Sequence, residues 1–318
     1  MGDGVVTGDE GTATPQAAWS GGLGMVRLDE RRVERVSWLW EGRVPLGKVA
    51  LVVGDPDVGK SFVLLDLAAR VSRGEGVPPE TGPGRPRGVL LLCADDDVDD
   101  TVLPRLVACG ADLCRVVWVS SLVEEPATPQ AAGGPGVRRG SAPDTRRPLT
   151  ADRLPQSGGE GGMIEEWTAT PQAAGERRMV SLGRDVGRLE AAARAMGDCG
   201  LIVIDPVSAY LGGTDSNSNV EVRRVLWRLG EMARSLGTAV VLVSHHRKAG
   251  AASVLHRAIG SLAFTAASRV VLAVVEDPAV GGRKLLLPVK MNLLPASSGR
   301  AFRIEEGRVA WEPEAVPL

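Results

Sequence analysis

The sequence predicts an α/β fold: a mainly parallel central sheet flanked by helices, with antiparallel strands closing one edge. Three observations predict it. Short runs rich in Val, Leu and Ile recur along the chain, and stretches with helical spacing lie between most of them. Strands buried on both faces have no polar side to alternate with, so such runs read as parallel strands joined by crossover helices. After Val275 the rhythm changes to strand-like runs separated by turn residues. The composition, 44% hydrophobic against 24% charged over 318 residues, provides for a large core and is not that of a disordered chain.

The elements follow in order. Residues 1 to about 26 mix Gly, Thr, Asp and Ala without periodicity, and a flexible N-terminal tail is set at 1–32. Strands are expected at 49–53, 89–93, 116–119, 201–204, 239–243 and 270–275. Helices are expected at 60–73, 100–108, 182–196, 220–236 and 255–267. Runs at 284–290, 300–304 and 308–311 supply the antiparallel edge. One domain thus spans 33–312, followed by a short tail at 313–318.

That domain is interrupted at 123–180 by a low-complexity, disordered insertion, where no apolar period supports a core element. The hexapeptide ATPQAA occurs at 13–18, 127–132 and 169–174, at spacings that fit no solenoid. A repeated docking peptide and a tolerated surface loop both fit it, and no chemistry is assigned to it.

Charge and cysteine usage set outer limits. The chain carries 37 Lys+Arg against 39 Asp+Glu, so any contact with nucleic acid must be local rather than driven by a global positive field. Cys93, Cys109, Cys114 and Cys199 form no CxxC pair and sit mostly in apolar segments, as expected of reduced thiols in a cytoplasm. No apolar run approaches the roughly 18 residues of a membrane span, and the acidic, Gly-rich N-terminus is unlike a signal peptide. No membrane partner is expected.

The most specific feature is Gly54-Asp55-Pro56-Asp57-Val58-Gly59-Lys60-Ser61, which fits GxxxxGK[ST] between an expected strand and an expected helix. Backbone N–H groups of such a loop, together with the helix N-terminus, surround a phosphate, and only a tight glycine turn allows that approach. Lys60 then neutralises the outer phosphates, and the Ser61 hydroxyl serves Mg²⁺. Phe62 follows directly and joins the candidate nucleotide-binding residues. Asp57 sets a carboxylate close to phosphate, although Asp tolerates the left-handed backbone of such loops.

A second element, Leu201-Ile202-Val203-Ile204-Asp205, is an apolar strand ending in a carboxylate, as at the ligand crevice of an open parallel sheet. Asp205 is therefore the second candidate Mg²⁺ residue. A strand-end cap is the plainer alternative.

Together with VLLLCADDD, VLVSHHRK and AIGSLAFTAASR, these segments resemble, in order, the RecA-type P-loop ATPases, most nearly the plasmid RepA-like hexameric helicase ATPases. The resemblance covers residues 36–304 apart from the insertion. It implies ATP and Mg²⁺ as cofactors and a set of site residues. Asp95 stands where the family has a glutamate that activates water, one methylene shorter; the alternative is that the acidic run is a solvated loop with a helix cap. His245, at the end of the strand 239–243, matches the position that senses the outer phosphate, or is an ordinary loop histidine beside His246. Arg269 matches the arginine finger and Lys290 a second cation, both reaching a neighbouring subunit's nucleotide; surface ion pairs are the alternative for each. The resemblance therefore implies a homo-oligomeric ring of the hexameric kind.

Of the segments around these motifs, Trp38 and Trp40 either pack on the sheet edge or flank the adenine, with one core tryptophan the simpler expectation. Two functions remain open. One is an ATP-driven motor on single-stranded DNA, with Arg247, Lys248 and Arg257 near a central pore. The low aromatic content of 3% stands against it, because single-strand grooves combine basic tracks with stacking rings. The other is a nucleotide-dependent switch or scaffold with a protein partner and weak hydrolysis, which the shorter Asp95 favours.

Overall fold

Val-, Leu- and Ile-rich segments take extended backbone because β-branched side chains pack well on a pleated surface. In the computed structural model, residues 26–78, 84–124, 176–212, 219–245, 262–294 and 298–317 are described. The chain divides into a unit at 1–37 and a unit at 38–318. The described part of the first holds one 3₁₀ turn, Leu28–Glu30, with the Arg27 guanidinium donating to Asp29 at 2.7 Å. The rest of the 1–32 tail, the residues 125–175 and the ATPQAA repeats lie outside the described residues.

The strands of the second unit are β1 Trp38–Trp40, β2 Val44–Pro45, β3 Val49–Gly54, β4 Gly88–Cys93, β5 Val116–Trp118, β6 Leu122–Glu124, β7 Glu176–Arg178, β8 Cys199–Asp205, β9 Ala239–His245, β10 Val270–Glu276, β11 Lys284–Met291, β12 Gly299–Glu305 and β13 Arg308–Val316. The helices are α1 Lys60–Arg73, α2 Leu103–Ala108, α3 Val186–Ala195, α4 Asn219–Leu236 and α5 Leu262–Ala267.

Nine strands form one sheet in the order β13-β12-β11-β10-β3-β9-β8-β4-β5. The six from β10 to β5 are parallel, and β11, β12 and β13 continue the sheet in antiparallel fashion, as the sequence predicts. Pro288 has no N–H to give the ladder, and it sits opposite Leu272 where the register shifts.

Strand alternation divides the core into two layers. Val49, Leu51 and Val53 of β3 face the side that carries α3 and α4, while Ala50 and Val52 face the side of α1 and α2. On α4 the buried set Val222, Val225, Leu226, Leu229, Met232 and Ala233 recurs at helical spacing. Each fully buried Leu or Val contributes roughly 1.5–3 kcal/mol relative to exposure. Trp40 is one of these core residues, edge-on to Trp311 with ring centroids 5.4 Å apart, as the core-packing expectation has it.

Several boundaries move inward or outward. The expected helix at 100–108 is a π-helical turn, Val98–Val102, followed by α2, whose first turn carries Pro104, a residue that starts helices because it needs no N–H partner. The flanks of the expected insertion are ordered: β6 pairs antiparallel with β7, Glu124 opposite Glu176, and Val180 is buried. β13 runs on to Val316, into the segment expected as a tail. Of the expected helix at 255–267, the described portion is α5. All four cysteines are free thiols. Among the described residues, no helix is long and apolar enough to cross a membrane.

Candidate active site

β3 ends at Gly54, and the chain must then turn under strand β10. A Cβ on Gly54 would lie 2.4 Å from the Val274 carbonyl oxygen, so no side chain fits between the two strands. Asp57 takes the left-handed backbone, φ 64°, that its residue type tolerates. Gly59, φ 98°, closes the loop against the C-terminal hairpin, where a Cβ would stand 2.9 Å from Ile304 Cδ1. α1 then starts at Lys60 with its free N–H groups directed at the loop, the arrangement that binds anions.

Lys60 is buried, and its Nζ donates to the carbonyls of Gly54 at 3.0 Å and Asp55 at 2.6 Å. Burial pulls its pKa below the ordinary lysine value, while the nearby carboxylates of Asp205, Asp55 and Asp57 oppose that shift. Phosphate oxygens placed in the loop would add further negative charge beside this buried ammonium. Ser61 Oγ donates to Asp205 Oδ2 at 2.8 Å, joining the start of α1 to the end of β8 across 144 residues of sequence.

The carboxylates at the end of β4 divide their work. Asp95 and Asp96 line the same cleft as the loop and Asp205, a space of about 840 Å³. Asp96 Oδ2 is 3.1 Å from Arg105 Nη1, and the Arg105 guanidinium lies over the Phe62 ring, 4.3 Å from its centre. Asp97 instead caps the next turn, accepting from the N–H groups of Asp99 and Asp100. The helix-cap alternative for the acidic run therefore holds for Asp97, while Asp95 and Asp96 face the cleft. Cys93, register partner of Asp205, has its thiol pushed up to about 12 by burial and then by Asp205 and Asp96, so it stays protonated. Burial, with Cys93, Asp205 and Asp95 nearby, likewise holds the Tyr210 hydroxyl in its neutral form.

β9 lies between β3 and β8, and the backbone of His245 is the register partner of Gly54, at the loop end of the sheet. The His245 side chain, His246 and the segment with Arg247, Lys248 and Arg257 lie outside the described residues.

Arg269 and Lys290 are elsewhere. Val270 pairs with Ala50 at the beginning of β3, and Val271 pairs with Lys290, so both cations sit at the strand ends opposite the loop. At about 3.3 Å per residue, roughly five residues of strand, about 16 Å, separate Arg269 from the level of Gly54, and roughly three, about 10 Å, separate Lys290 from it. Lys290 Nζ donates to the Thr265 and Ala266 carbonyls, both at 2.9 Å, and burial, then Arg269, lowers its pKa.

Two residues at the site escape the sequence reading. Arg105 belongs to a helix with no motif, and its link to Asp96 and Phe62 arises only from folding. Lys284 packs its aliphatic stem beside Gly59, within 3.4 Å of where a Cβ would stand, with Nζ 3.5 Å from Glu276. The change to antiparallel strands marked its hairpin but not its role.

A strand, a glycine loop and a helix that present a buried lysine, with a hydroxyl and a carboxylate meeting beside it, define a P-loop nucleotide-binding domain of the ATPase type. A family model described as an AAA domain matches residues 23–251, and the chain belongs to that family. No curated protein matches the chain. The donor set suits a phosphate chain with a divalent cation, because Lys60 and the helix N–H groups complement phosphate while Ser61 and Asp205 offer the hard oxygens that Mg²⁺ takes.

Proposed function

We propose that the protein is an ATP-hydrolysing, Mg²⁺-dependent P-loop ATPase that works as a ring-forming motor on single-stranded DNA, the helicase-like activity of replication or plasmid maintenance. The observation that carries its nucleotide chemistry is the Ser61–Asp205 contact beside Lys60. Lys60 would exchange its loop carbonyls for the outer phosphates, and Ser61 and Asp205 would hold the cation. Bound Mg²⁺ would offset the charge that develops on the transferred phosphoryl group. A carboxylate oxygen of Asp95 orients water and takes its proton. Asp96 is held by the Arg105 ion pair.

Assembly is supported by the position of Arg269 and Lys290. Lying at the far ends of the strands, they serve a nucleotide only if it belongs to another copy, and a closed head-to-tail ring presents them to it. The DNA substrate rests on the resemblance of the five motifs to RepA-like ring ATPases.

The testing experiment is the steady-state ATPase rate with Mg²⁺, with and without single-stranded DNA, over a range of salt. Strong, salt-sensitive stimulation is expected, and Lys60→Ala should lose nucleotide binding in calorimetry. Asp95, one methylene shorter than the family's glutamate, favours a second reading: a nucleotide-dependent switch or scaffold acting on a protein partner. Tight nucleotide binding with little turnover and no response to DNA would select that reading and reject the motor.

A further inference from the structure

On the α3–α4 side of the sheet, the outer face of α4 carries an exposed tryptophan, Trp227 (67% exposed), two turns beyond an exposed Val220 (71%). Arg223 and Arg224 lie exposed between them, without an ion pair among the described residues. A single surface tryptophan needs no explanation, but beside this one lies a cleft lined by three arginines.

The cleft, about 280 Å³, lies between the turn at Ser181–Arg184 and the first half of α4. Arg184, Arg224 and Arg228 line it against one carboxylate, Glu221. Arg228 is fixed there by donating to the Gly183 carbonyl at 2.6 Å. Ser181 is 3% exposed, and its Oγ has no hydrogen-bond partner among the described residues. A buried hydroxyl left unpaired is costly, and a bound acceptor recovers that cost. The Asp185 carboxylate takes the Ser181 N–H instead, at 2.8 Å, and is itself held by Arg178.

We infer that this face binds single-stranded nucleic acid, with a backbone phosphate in the arginine cleft and a neighbouring base stacked on Trp227. Arg224 and Trp227 are three residues apart on one helix, so the phosphate and the base fall side by side. A single strand offers exposed base faces to the indole and phosphates to the cleft, whereas a duplex hides its base faces within the stack. The inference rests on the motor reading and supplies an aromatic platform that the overall composition did not promise.

The test is anisotropy of fluorescently labelled oligo(dT) with the full chain over a series of salt concentrations, with duplex of equal length as comparison. Trp227→Ala should weaken oligo(dT) binding by about fivefold or more, and Trp227→Phe should keep most of it. The Arg184→Ala/Arg224→Ala pair should reduce the slope of log affinity against log salt by about 0.7 for each phosphate no longer neutralised. Basal ATPase should stay unchanged in all three variants. If the wild type binds oligo(dT), or is stimulated by it, while the variants match its affinity and slope, this surface is refuted and the motor reading stands. If the wild type binds no single strand even at low salt, both fall. If inorganic phosphate stabilises the wild type but not the double variant, with oligo(dT) affinity unchanged, the cleft is a free-anion site and the inference fails.

Discussion

The Arg105 guanidinium stacks on Phe62 and pairs with Asp96, so one side chain of α2 fixes both the residue after the phosphate loop and a carboxylate in the bend that follows β4. Its charge offsets Asp96 in a cleft that must also receive phosphate. Arg105→Ala is expected to weaken nucleotide binding several-fold in calorimetry. Arg105→Lys keeps the charge but not the planar stack, and should recover only part. Wild-type affinity in Arg105→Ala would remove this role.

Asp95→Ala should bind nucleotide normally and hydrolyse none. Asp95→Glu restores the longer reach of the family residue, and because a misplacement near 1 Å costs roughly 10²-fold, its turnover should rise above wild type. Full turnover in the alanine variant would move the base elsewhere.

Arg269→Ala should lower turnover of the assembled protein and leave nucleotide binding by the separate chain intact. In mixtures with a Lys60→Ala variant, activity should recover at sites where a Lys60→Ala chain lends its Arg269 to the intact phosphate loop of an Arg269→Ala neighbour. Mixtures as inactive as their components would argue against action between copies.

Acid should act on the segment around Asp185. Arg178 donates to both Asp185 oxygens, at 2.7 and 2.8 Å, and holds the carboxyl at about 2, below the ordinary 3.8. A depressed carboxyl pKa adds stability above the unfolded value, so that contribution is present above about pH 4 and is lost as pH falls towards 2. Asp185→Asn should destabilise the fold at pH 7 and flatten its acid unfolding between those values. An unchanged acid limb would refute the assignment.

Residues 125–175 should be replaceable by a short turn. Glu124 and Glu176 are register partners, so the cut ends already face each other as in a hairpin. The shortened chain should keep its melting temperature within a few degrees and its ATPase rate; a collapse of either would show that the segment does more than connect.

The sheet was legible because each buried strand is an unbroken apolar run, and the phosphate loop because its chemistry sits within eight consecutive residues. Asp205 was legible for the same local reason. The three aspartates at 95–97 were not separable, because lining the cleft, pairing with Arg105 and capping a turn depend on where the backbone bends after β4. The three-residue strands β6 and β7 carry no period long enough to see, and each finds its partner across a long stretch of chain. Arg184, Arg224 and Arg228 read as scattered surface charge until a turn and a helix bring them together.

The backing of the phosphate loop by late strands bears on the order of synthesis. β10 sets the Val274 carbonyl against Gly54, and Phe302 and Ile304 of β12 close on Gly59. A ribosome that has completed the stretch ending at residue 251 has made the loop, α1 and Asp205, but neither the neighbour of β3 on one side nor the hairpin behind Gly59. On a growing chain the backing of the nucleotide pocket is therefore complete only once β10 and β12 have been made.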